Sequence, residues 1–303
     1  MKIAYKTDRG VFYHGTMEKA LNSKKLEGCK NKINLIFTSP PFPLNRKKKY
    51  GNLNGQKYVD WFADLAVLFK EYLTDEGSIV IELGNSWEPG KPVMSTLALK
   101  SLLAFLDKGD YCLCQQFVWY NTAKLPSPAQ WVNIKRIRVK DSFTHIWWMS
   151  KTPYPKANNR NVLEEYSRSM KNLLKTKKYN GGRRPSEHVI GEDSFLVNNN
   201  GAIPSNVLIS SNTKSNTDYL KYCRKENLTP HPARMPIEIP DFFINLLTEP
   251  GDLILDPFAG SNTTGESAQK LKRKWISIEP ELNYIKGSKG RFKQLKLTPA
   301  NHV

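Results

Sequence analysis

The segment 252–279 constrains the fold of this chain more than any other. It reads as a buried strand, Asp252–Asp256, a turn of small residues, a helix over 263–272 and a second strand, Trp275–Glu279. Both strands end in an acid. Because open α/β sheets bind ligands at the carboxyl ends of their parallel strands, this β-turn-α-β unit predicts an α/β domain with a nucleoside site.

The rest of the chain repeats this alternation of strands and helices. Apolar runs bounded by turn residues predict strands, and apolar residues at helical spacing predict helices. The predicted strands are 11–13, 32–37, 77–84, 113–120 and 143–149, and the predicted helices are 58–73, 97–106 and 240–247. Such alternation favours a mainly parallel sheet.

Residues 151–226 break the pattern, since they are rich in Asn, Ser, Lys and Arg and have few apolar runs. A structureless loop of that length is improbable in a compact domain. We therefore expect an inserted small domain or a surface-following arm, and the chain divides into 1–150, 151–226 and 227–303.

The charge balance points to a polyanionic partner. The chain has 46 Lys+Arg against 28 Asp+Glu, a net charge of +18, which favours nucleic acid over an anionic membrane.

No apolar run approaches the roughly 18 residues needed to cross a bilayer. The four cysteines form no C-x-x-C pair, so we expect no metal site and a reducing cytoplasm.

The turn after Asp256 has the composition of a cofactor loop. Small residues at 259–261 let a ligand approach the backbone, and the following helix N-terminus favours a carboxylate. Glu279 can accept both ribose hydroxyls. There is no G-x-G-x-x-G, hence no pyrophosphate cradle, so a mononucleoside such as S-adenosylmethionine fits better than NAD. The alternative is an ordinary tight turn with a capping Ser or Thr.

Thr38-Ser39-Pro40-Pro41-Phe42 ends the strand at 32–37 with a rigid loop. Proline has no N–H, so a carbonyl in this loop is left able to accept a bond, and Ser39 adds a hydroxyl. These two acceptors suit the two N–H groups of an exocyclic amine, and the Phe42 ring suits the base that bears it. The alternative is a strand-terminating turn.

Together the two motifs resemble the signature of the β-class amino-group DNA methyltransferases, S/T-P-P-[YF] near the N-terminus and D-P-F-x-G-[ST] near the C-terminus. The resemblance is especially close to the PvuII-type modification methyltransferases (cytosine-N4-specific) and covers nearly the whole chain. The supporting runs are 38–52, 124–128, 131–133, 136–141, 231–234 and 260–265. It implies the S-adenosylmethionine-dependent methyltransferase fold, a doubly wound mixed seven-stranded sheet with 151–226 as an inserted target-recognition region.

The same resemblance implies the chemistry, which is methyl transfer from S-adenosylmethionine to N4 of a flipped cytosine in duplex DNA. The catalytic residues would be Ser39, Pro40, Pro41 and Phe42. The cofactor-binding residues would be His231, Pro232, Ala233, Arg234, Asp256, Pro257, Phe258, Gly260, Ser261, Asn262, Thr263 and Glu279. The DNA-binding residues would be Arg46, Lys47, Lys48, Lys49, Lys135, Arg136, Arg138, Arg183 and Arg184.

Two features bear on the details of this assignment. The strand-end block of such enzymes often reads H-G-D, with the acid near the cofactor's adenine, whereas this chain has His14-Gly15-Thr16. No cysteine follows a proline, which argues against the covalent mechanism of the C5-cytosine enzymes.

Two other functions are compatible with the sequence. The same machinery serves N6-adenine methylation, although Ser39 favours cytosine. A non-catalytic basic DNA-binding protein would share the charge but have no use for Ser39 or the 256–279 unit. As partners we expect double-stranded DNA, no membrane, and a separately acting restriction endonuclease, with the chain a monomer or a homodimer.

Overall fold

The computed structural model describes residues 1–42, 53–179, 182–183, 185–187, 189–191, 195–292 and 298–299. The chain forms two compact units. The large unit combines Met1–Ala157 with Asn206–Val303, and the small unit is Asn158–Ser205. All predicted catalytic and cofactor-binding residues belong to the large unit.

The strands within the described residues are β1 Lys2–Lys6, β2 Gly10–His14, β3 Ile33–Thr38, β4 Leu73–Gly84, β5 Cys112–Tyr120, β6 Phe143–Ser150, β7 Gly182–Arg183, β8 Val189–Ile190, β9 Val207–Ile209, β10 Leu253–Asp256, β11 Lys274–Glu279 and β12 Thr298–Pro299. The α-helices are α1 Met17–Leu21, α2 Lys24–Glu27, α3 Gln56–Tyr72, α4 Leu97–Gly109, α5 Arg168–Thr176, α6 Asp218–Lys225, α7 Glu238–Leu247, α8 Thr263–Lys270 and α9 Leu282–Ser288. A π-helical turn covers Gln130–Ile134, and two 3₁₀ turns cover Asn159–Val162 and Lys289–Phe292.

Ten of these strands form one mixed sheet, in the order β12-β1-β2-β11-β10-β3-β4-β6-β5-β9. Neighbours from β2 through β4 pair in parallel, and β6 runs antiparallel to both β4 and β5. Strands β2-β11-β10-β3-β4-β6-β5 are the expected seven, so the predicted fold class is confirmed. Strands β12, β1 and β9 extend the sheet beyond that prediction.

Helices cover both faces of the sheet. Ile36 of β3 packs in the core that contains Phe62 of α3, while the next residue, Phe37, faces Phe243 of α7 with ring centroids 5.8 Å apart. Successive residues of a strand point to opposite faces, so β3 is buried on both sides. Burying each such side chain contributes about 1.5–3 kcal/mol, and this fixes the strand whose end carries the catalytic loop.

Helix α3 confirms the predicted helix at 58–73 to within two residues. Tyr58, Phe62, Leu65 and Phe69 recur at helical spacing and are all 1% exposed or less. One face of the helix is therefore buried in the main core, where Phe62 and Phe69 also contact Phe105 of α4.

The segment 151–226 is divided between the two units. Residues 158–205 form the small unit, whereas 206–226 lie in the large unit, where β9 pairs with β5 through Val118 and Val207. Helix α6 also belongs to the large unit. The role of 151–226 in target recognition stays a prediction.

All four cysteines are free thiols. Among the described helices, none is both long enough and apolar enough to cross a membrane.

Candidate active site

The two predicted loops meet at the centre of the sheet. The loop 39–42 follows β3, and the loop 257–262 follows β10, which pairs with β3 in parallel. The carboxyl ends of parallel neighbours lie at the same edge of a sheet. A hydrogen bond joins the two segments directly, since Thr38 Oγ1 donates to Asp256 Oδ1 at 2.8 Å. The structure thus brings the predicted catalytic and cofactor segments together.

Asp256 fastens this junction. Its Oδ2 accepts from Thr264 Oγ1 at 2.6 Å, and its Oδ1 accepts from the Phe258 N–H at 3.2 Å as well as from Thr38. The carboxyl group is buried, and burial raises its pKa to about 6 against the opposing effect of these three donors. The side chain therefore holds β3, the cofactor loop and α8 in a fixed arrangement.

Ser39 is oriented by a buried acid from the next strand. Its Oγ donates to Oε2 of Glu82 at 2.5 Å. Glu82 lies in β4 and is 3% exposed. Burial raises the pKa of Glu82 to about 7, although the bond from Ser39 works in the opposite direction. A carboxyl with a pKa near neutrality can accept and release a proton at physiological pH.

The two prolines hold the backbone of the loop. The Pro41 carbonyl accepts a bond from Tyr58 Oη at 2.9 Å, which ties the loop to α3. Within the part of the chain that the structure describes, the Pro40 carbonyl accepts no hydrogen bond. The Pro40 carbonyl is therefore an acceptor left open at the residue after Ser39.

The Phe42 ring lies against the backbone of Gly84, at the end of β4. A Cβ atom added to Gly84 would come within 2.7 Å of Phe42 Cε2. The ring is partly buried against the main hydrophobic core. Only glycine at position 84 leaves room for this placement of the ring.

Glu279 closes the other end of the site. Its Oε2 accepts from the Gly260 N–H at 2.9 Å, and its Oε1 accepts from the Glu281 N–H at 2.9 Å. Burial raises its pKa to about 7, which these two backbone bonds oppose. Each carboxylate oxygen has a second lone pair, so the group can also accept hydroxyl protons from a ribose.

His231 covers the cofactor loop at Gly260. Gly260 has a φ of +50°, and a Cβ there would lie 3.0 Å from His231 Nε2. The His231 N–H donates to Tyr219 Oη at 2.8 Å, and the imidazole packs edge-on against the Tyr284 ring at 4.5 Å. The left-handed backbone and the close imidazole both require glycine.

The rest of the predicted His231–Arg234 block lies beside this contact. Arg234 Nη1 donates to the His231 carbonyl at 2.7 Å, which folds the block back on itself. Pro232 and Ala233 are exposed. Their part in cofactor binding stays a prediction.

Residues 257–263 build the cofactor loop from buried positions, apart from the half-buried Phe258. Asn262 is fully buried: it accepts from the Gly265 N–H at the start of α8 and from Ser277 Oγ, and it donates to Tyr5 Oη. The Thr263 hydroxyl lies 3.5 Å from that of Ser261. The Asn262 side chain thus shapes the loop from behind.

Two residues of the site, Arg291 and Glu82, were not predicted from the sequence. Arg291 donates through Nε to the Ser261 carbonyl at 2.5 Å and through Nη2 to Ser261 Oγ at 2.9 Å, and it pairs with Glu266. Its guanidinium also sits 4.7 Å from the centroid of the Tyr219 ring. The other is Glu82, for which a signal existed: an acid inside the apolar run Ile79–Leu83. Nothing local marks Arg291.

Thr16 stands where the family often has an acid. Its hydroxyl accepts from the Lys19 N–H at 3.4 Å and caps α1. The preceding Gly15 N–H donates to the Glu279 carbonyl at 3.1 Å. Position 16 therefore lies close to the predicted ribose acid, while the Thr16 hydroxyl serves as a helix cap.

The predicted basic cluster at 135–140 lies on the loop 121–142, which joins the carboxyl end of β5 to the start of β6. This is the same edge of the sheet as the catalytic loop. Lys135, Arg136 and Arg138 are exposed. Arg138 also donates through Nε to the Pro92 carbonyl at 3.0 Å.

The remaining predicted DNA-binding residues cannot be placed beside the site. Arg46, Lys47, Lys48, Lys49 and Arg184 lie outside the described residues, and Arg183 belongs to strand β7 of the small unit. Their DNA contacts stay predictions.

Known proteins share this sequence and this arrangement. Residues 33–290 match the sequence model of a family described as DNA methylase. The type II methyltransferase M.PvuII of Proteus hauseri is 44% identical over 293 residues, which cover 96% of this chain and 86% of that protein. The type II methyltransferase M.HpaI of Haemophilus parainfluenzae is 27% identical and covers 89% of this chain and 70% of its own.

Solved structures agree with the sequence matches. PvuII DNA methyltransferase (cytosine-N4-specific) superposes with a TM-score of 0.77 at 38% identity, over 96% of this chain and 89% of that one. The complex of M1.HpyAVI with SAM has a TM-score of 0.54 at 19% identity, over 93% and 98% of the two chains. The second likeness concerns the fold alone.

Proposed function

This chain belongs to the DNA methylase family, and we propose that within it the chain transfers a methyl group from S-adenosylmethionine to N4 of a cytosine flipped out of duplex DNA. The observation that carries the proposal is the Ser39–Glu82 pair beside the loop held by Asp256 and Glu279. The cytosine-N4-specific activity named for the PvuII enzyme supports the choice of base.

The cofactor loop suits S-adenosylmethionine. Gly260 gives the loop a tight left-handed turn beneath His231, and Glu279 offers carboxylate lone pairs for ribose hydroxyls. Arg234 and the N-terminus of α8 provide positive groups for a carboxylate. When bound, S-adenosylmethionine supplies an electrophilic methyl carbon on a sulfonium.

Ser39 acts as an acceptor toward the target amine. Its hydroxyl proton is committed to Glu82, so its oxygen lone pairs remain to accept an N4–H. The Pro40 carbonyl takes the second N4–H. The amine is a poor nucleophile because its lone pair is delocalised into the ring. Two such bonds favour a pyramidal nitrogen and make the lone pair available for attack.

Glu82 offers the route by which a proton leaves. A nitrogen that gains a methyl group must lose one proton to become neutral N4-methylcytosine. Ser39 can take that proton while passing its own to Glu82, whose pKa near 7 suits both states. The Phe42 ring, fixed against Gly84, supplies the surface on which the flipped base stacks.

The proposal also covers how the chain recognises DNA and which biological role it serves. We assign target recognition to 151–226 and phosphate contacts to the basic residues at 46–49, 135–138 and 183–184, on the support of their charge. Several relatives are named type II methyltransferases, which supports a restriction-modification role with a separate endonuclease. A DNA substrate and four free thiols fit a reducing cytoplasm.

The test is to express the chain in a bacterial host and to digest the host DNA for mass spectrometry. N4-methylcytosine should appear, and methylation-sensitive sequencing should give the modified site. A matched host that does not express the chain controls for background. N6-methyladenine in place of N4-methylcytosine would overturn the base assignment, and unmodified DNA would overturn the function.

A further inference from the structure

The loop 121–142 exposes apolar side chains among basic ones. Ile137 is 52% exposed and Val139 is 86% exposed. Lys135, Arg136 and Lys140 flank them, and no acid occurs between 122 and 140. Exposed apolar side chains on an ordered surface are often sites of interaction, and the surrounding charge suits a polyanion.

The loop is held in shape by its own hydrogen bonds. The N–H groups of Ile137 and Arg138 donate to the Trp131 carbonyl at 2.9 and 3.3 Å. The Arg138 side chain turns to the Pro92 carbonyl, so the two apolar neighbours stand out on either side of an anchored residue. The Asp141 N–H donates to the Ser127 carbonyl at 3.0 Å and closes the base of the loop.

The part of the loop that carries Ile137 and Val139 lies next to the site proposed for the flipped base. Asp141 Oδ1 accepts from Asn85 Nδ2 at 2.9 Å, and Asn85 directly follows Gly84, against which the Phe42 ring packs. Val139 is two residues from Asp141, hence within about 7 Å of it along the chain. The apolar side chains are thus tethered beside the end of β4.

We propose that Ile137 and Val139 form a wedge that enters the base stack and fills the space left by the flipped cytosine. Lys135, Arg136 and Lys140 would then meet the phosphates on either side. Extruding a base costs unpairing and unstacking energy, and apolar side chains inserted at a base step recover part of it. This inference rests on the proposed function.

The experiment uses two duplexes that contain the mapped recognition site. In one the target cytosine faces guanine, and in the other it faces an abasic position. The Ile137→Ala/Val139→Ala variant should lose about tenfold or more in turnover on the paired duplex, because the cost of extrusion is greatest there. Relative to the wild-type chain, it should recover most of that loss on the abasic duplex.

Two controls separate the wedge from other roles. Leu103→Ala removes a comparably exposed leucine, 60% exposed, from α4 and should match the wild type on both duplexes. Lys135→Ala should lose affinity equally on both, as a phosphate contact would. Cofactor binding and thermal unfolding should be unchanged in the wedge variant, since both side chains are exposed.

Wild-type turnover by the double variant on the paired duplex would overturn the wedge. An equal loss on both duplexes would also overturn it, because the side chains would then serve binding in general. If the wild-type chain methylates neither duplex, the proposed function fails and the wedge fails with it.

Discussion

Ser39 Oγ lies 2.5 Å from Glu82 Oε2, so the hydroxyl of the catalytic loop is bonded to a buried acid of the neighbouring strand. This pair fixes which way the serine proton points. It also gives the site a group that titrates near neutral pH.

Replacing Ser39 by alanine should lower turnover and leave cofactor binding intact. The lost acceptor acts mainly in the transition state, and removing one such polar partner costs about 2–4 kcal/mol, roughly 30- to 1000-fold in rate. Single-turnover methylation with parallel titration of S-adenosylmethionine measures both effects. Full activity in Ser39→Ala would mean that the loop is only a turn.

The rate should depend on the ionisation of Glu82. If the ionised form accepts the proton, turnover should rise as pH increases through about 7 and then level off. Glu82→Gln should be slower and should lose this step in the pH–rate profile. A profile of Glu82→Gln that keeps the wild-type step would exclude Glu82 as its source.

The Glu82 carboxyl should also make the free energy of unfolding depend on pH. Burial raises the pKa of Glu82 from 4.5 to about 7 in the folded chain, so the folded state binds this proton more tightly than the unfolded state. The stabilising contribution is present at low pH and is lost as pH rises through that window. As pH rises from 4.5 to about 7, the free energy of unfolding of the wild type should therefore fall relative to that of Glu82→Gln. A difference that does not vary with pH would contradict the buried, titrating carboxyl.

Glu279 and Asp256 should respond differently to alanine. Glu279→Ala should weaken S-adenosylmethionine binding by about 1.5–3 kcal/mol, the contribution of a charge-assisted bond. Asp256→Ala should do so as well, and it leaves three donors without their acceptor where Glu279→Ala leaves two, at about 1–3 kcal/mol for each unsatisfied buried group. It should therefore unfold at a lower temperature than Glu279→Ala. Unchanged cofactor titrations in both variants would refute the site.

Gly84→Ala should disable capture of the base by displacing Phe42. The added Cβ would meet the ring at 2.7 Å, whereas a Cβ at Gly28 meets nothing within 4 Å. Base stacking on an aromatic ring is worth about 1–3 kcal/mol, so KM for DNA should rise in Gly84→Ala and not in the matched control Gly28→Ala. Equal kinetics in the two variants would show that the ring can shift freely.

The sequence predicted those parts of the site that lie within a few residues of a strand end. The loops after β3 and β10 and the acid at the end of β11 are marked by prolines, small residues and position. Because both loops follow strands of one predicted parallel sheet, their meeting at one edge could be expected. Strand β1 was missed because Lys2–Lys6 is short and flanked by charge, and β9 because it is a three-residue edge strand.

The contacts that orient the predicted residues could not be predicted in the same way. Glu82 and Ser39 are 43 residues apart, and their bond depends on the register between β3 and β4. The Asn262 side chain points toward Ser277 and Tyr5, and its backbone at the start of α8 is left-handed. Arg291 reaches the loop from a 3₁₀ turn near the end of the described chain. Such partners are set by tertiary packing, which has no local pattern.

Thr38 and Ser39 are adjacent in the chain, yet their hydroxyls bond in opposite directions, one to Asp256 under the cofactor loop and the other to Glu82 beneath the base pocket. One peptide unit is therefore common to both ligand sites. In terms of thermodynamic linkage, any factor by which the cofactor tightens the hold on the flipped base must equal the factor by which DNA tightens the hold on the cofactor. The cofactor and the DNA therefore act on one shared peptide unit, Thr38–Ser39, and any coupling between the two ligands through it is reciprocal.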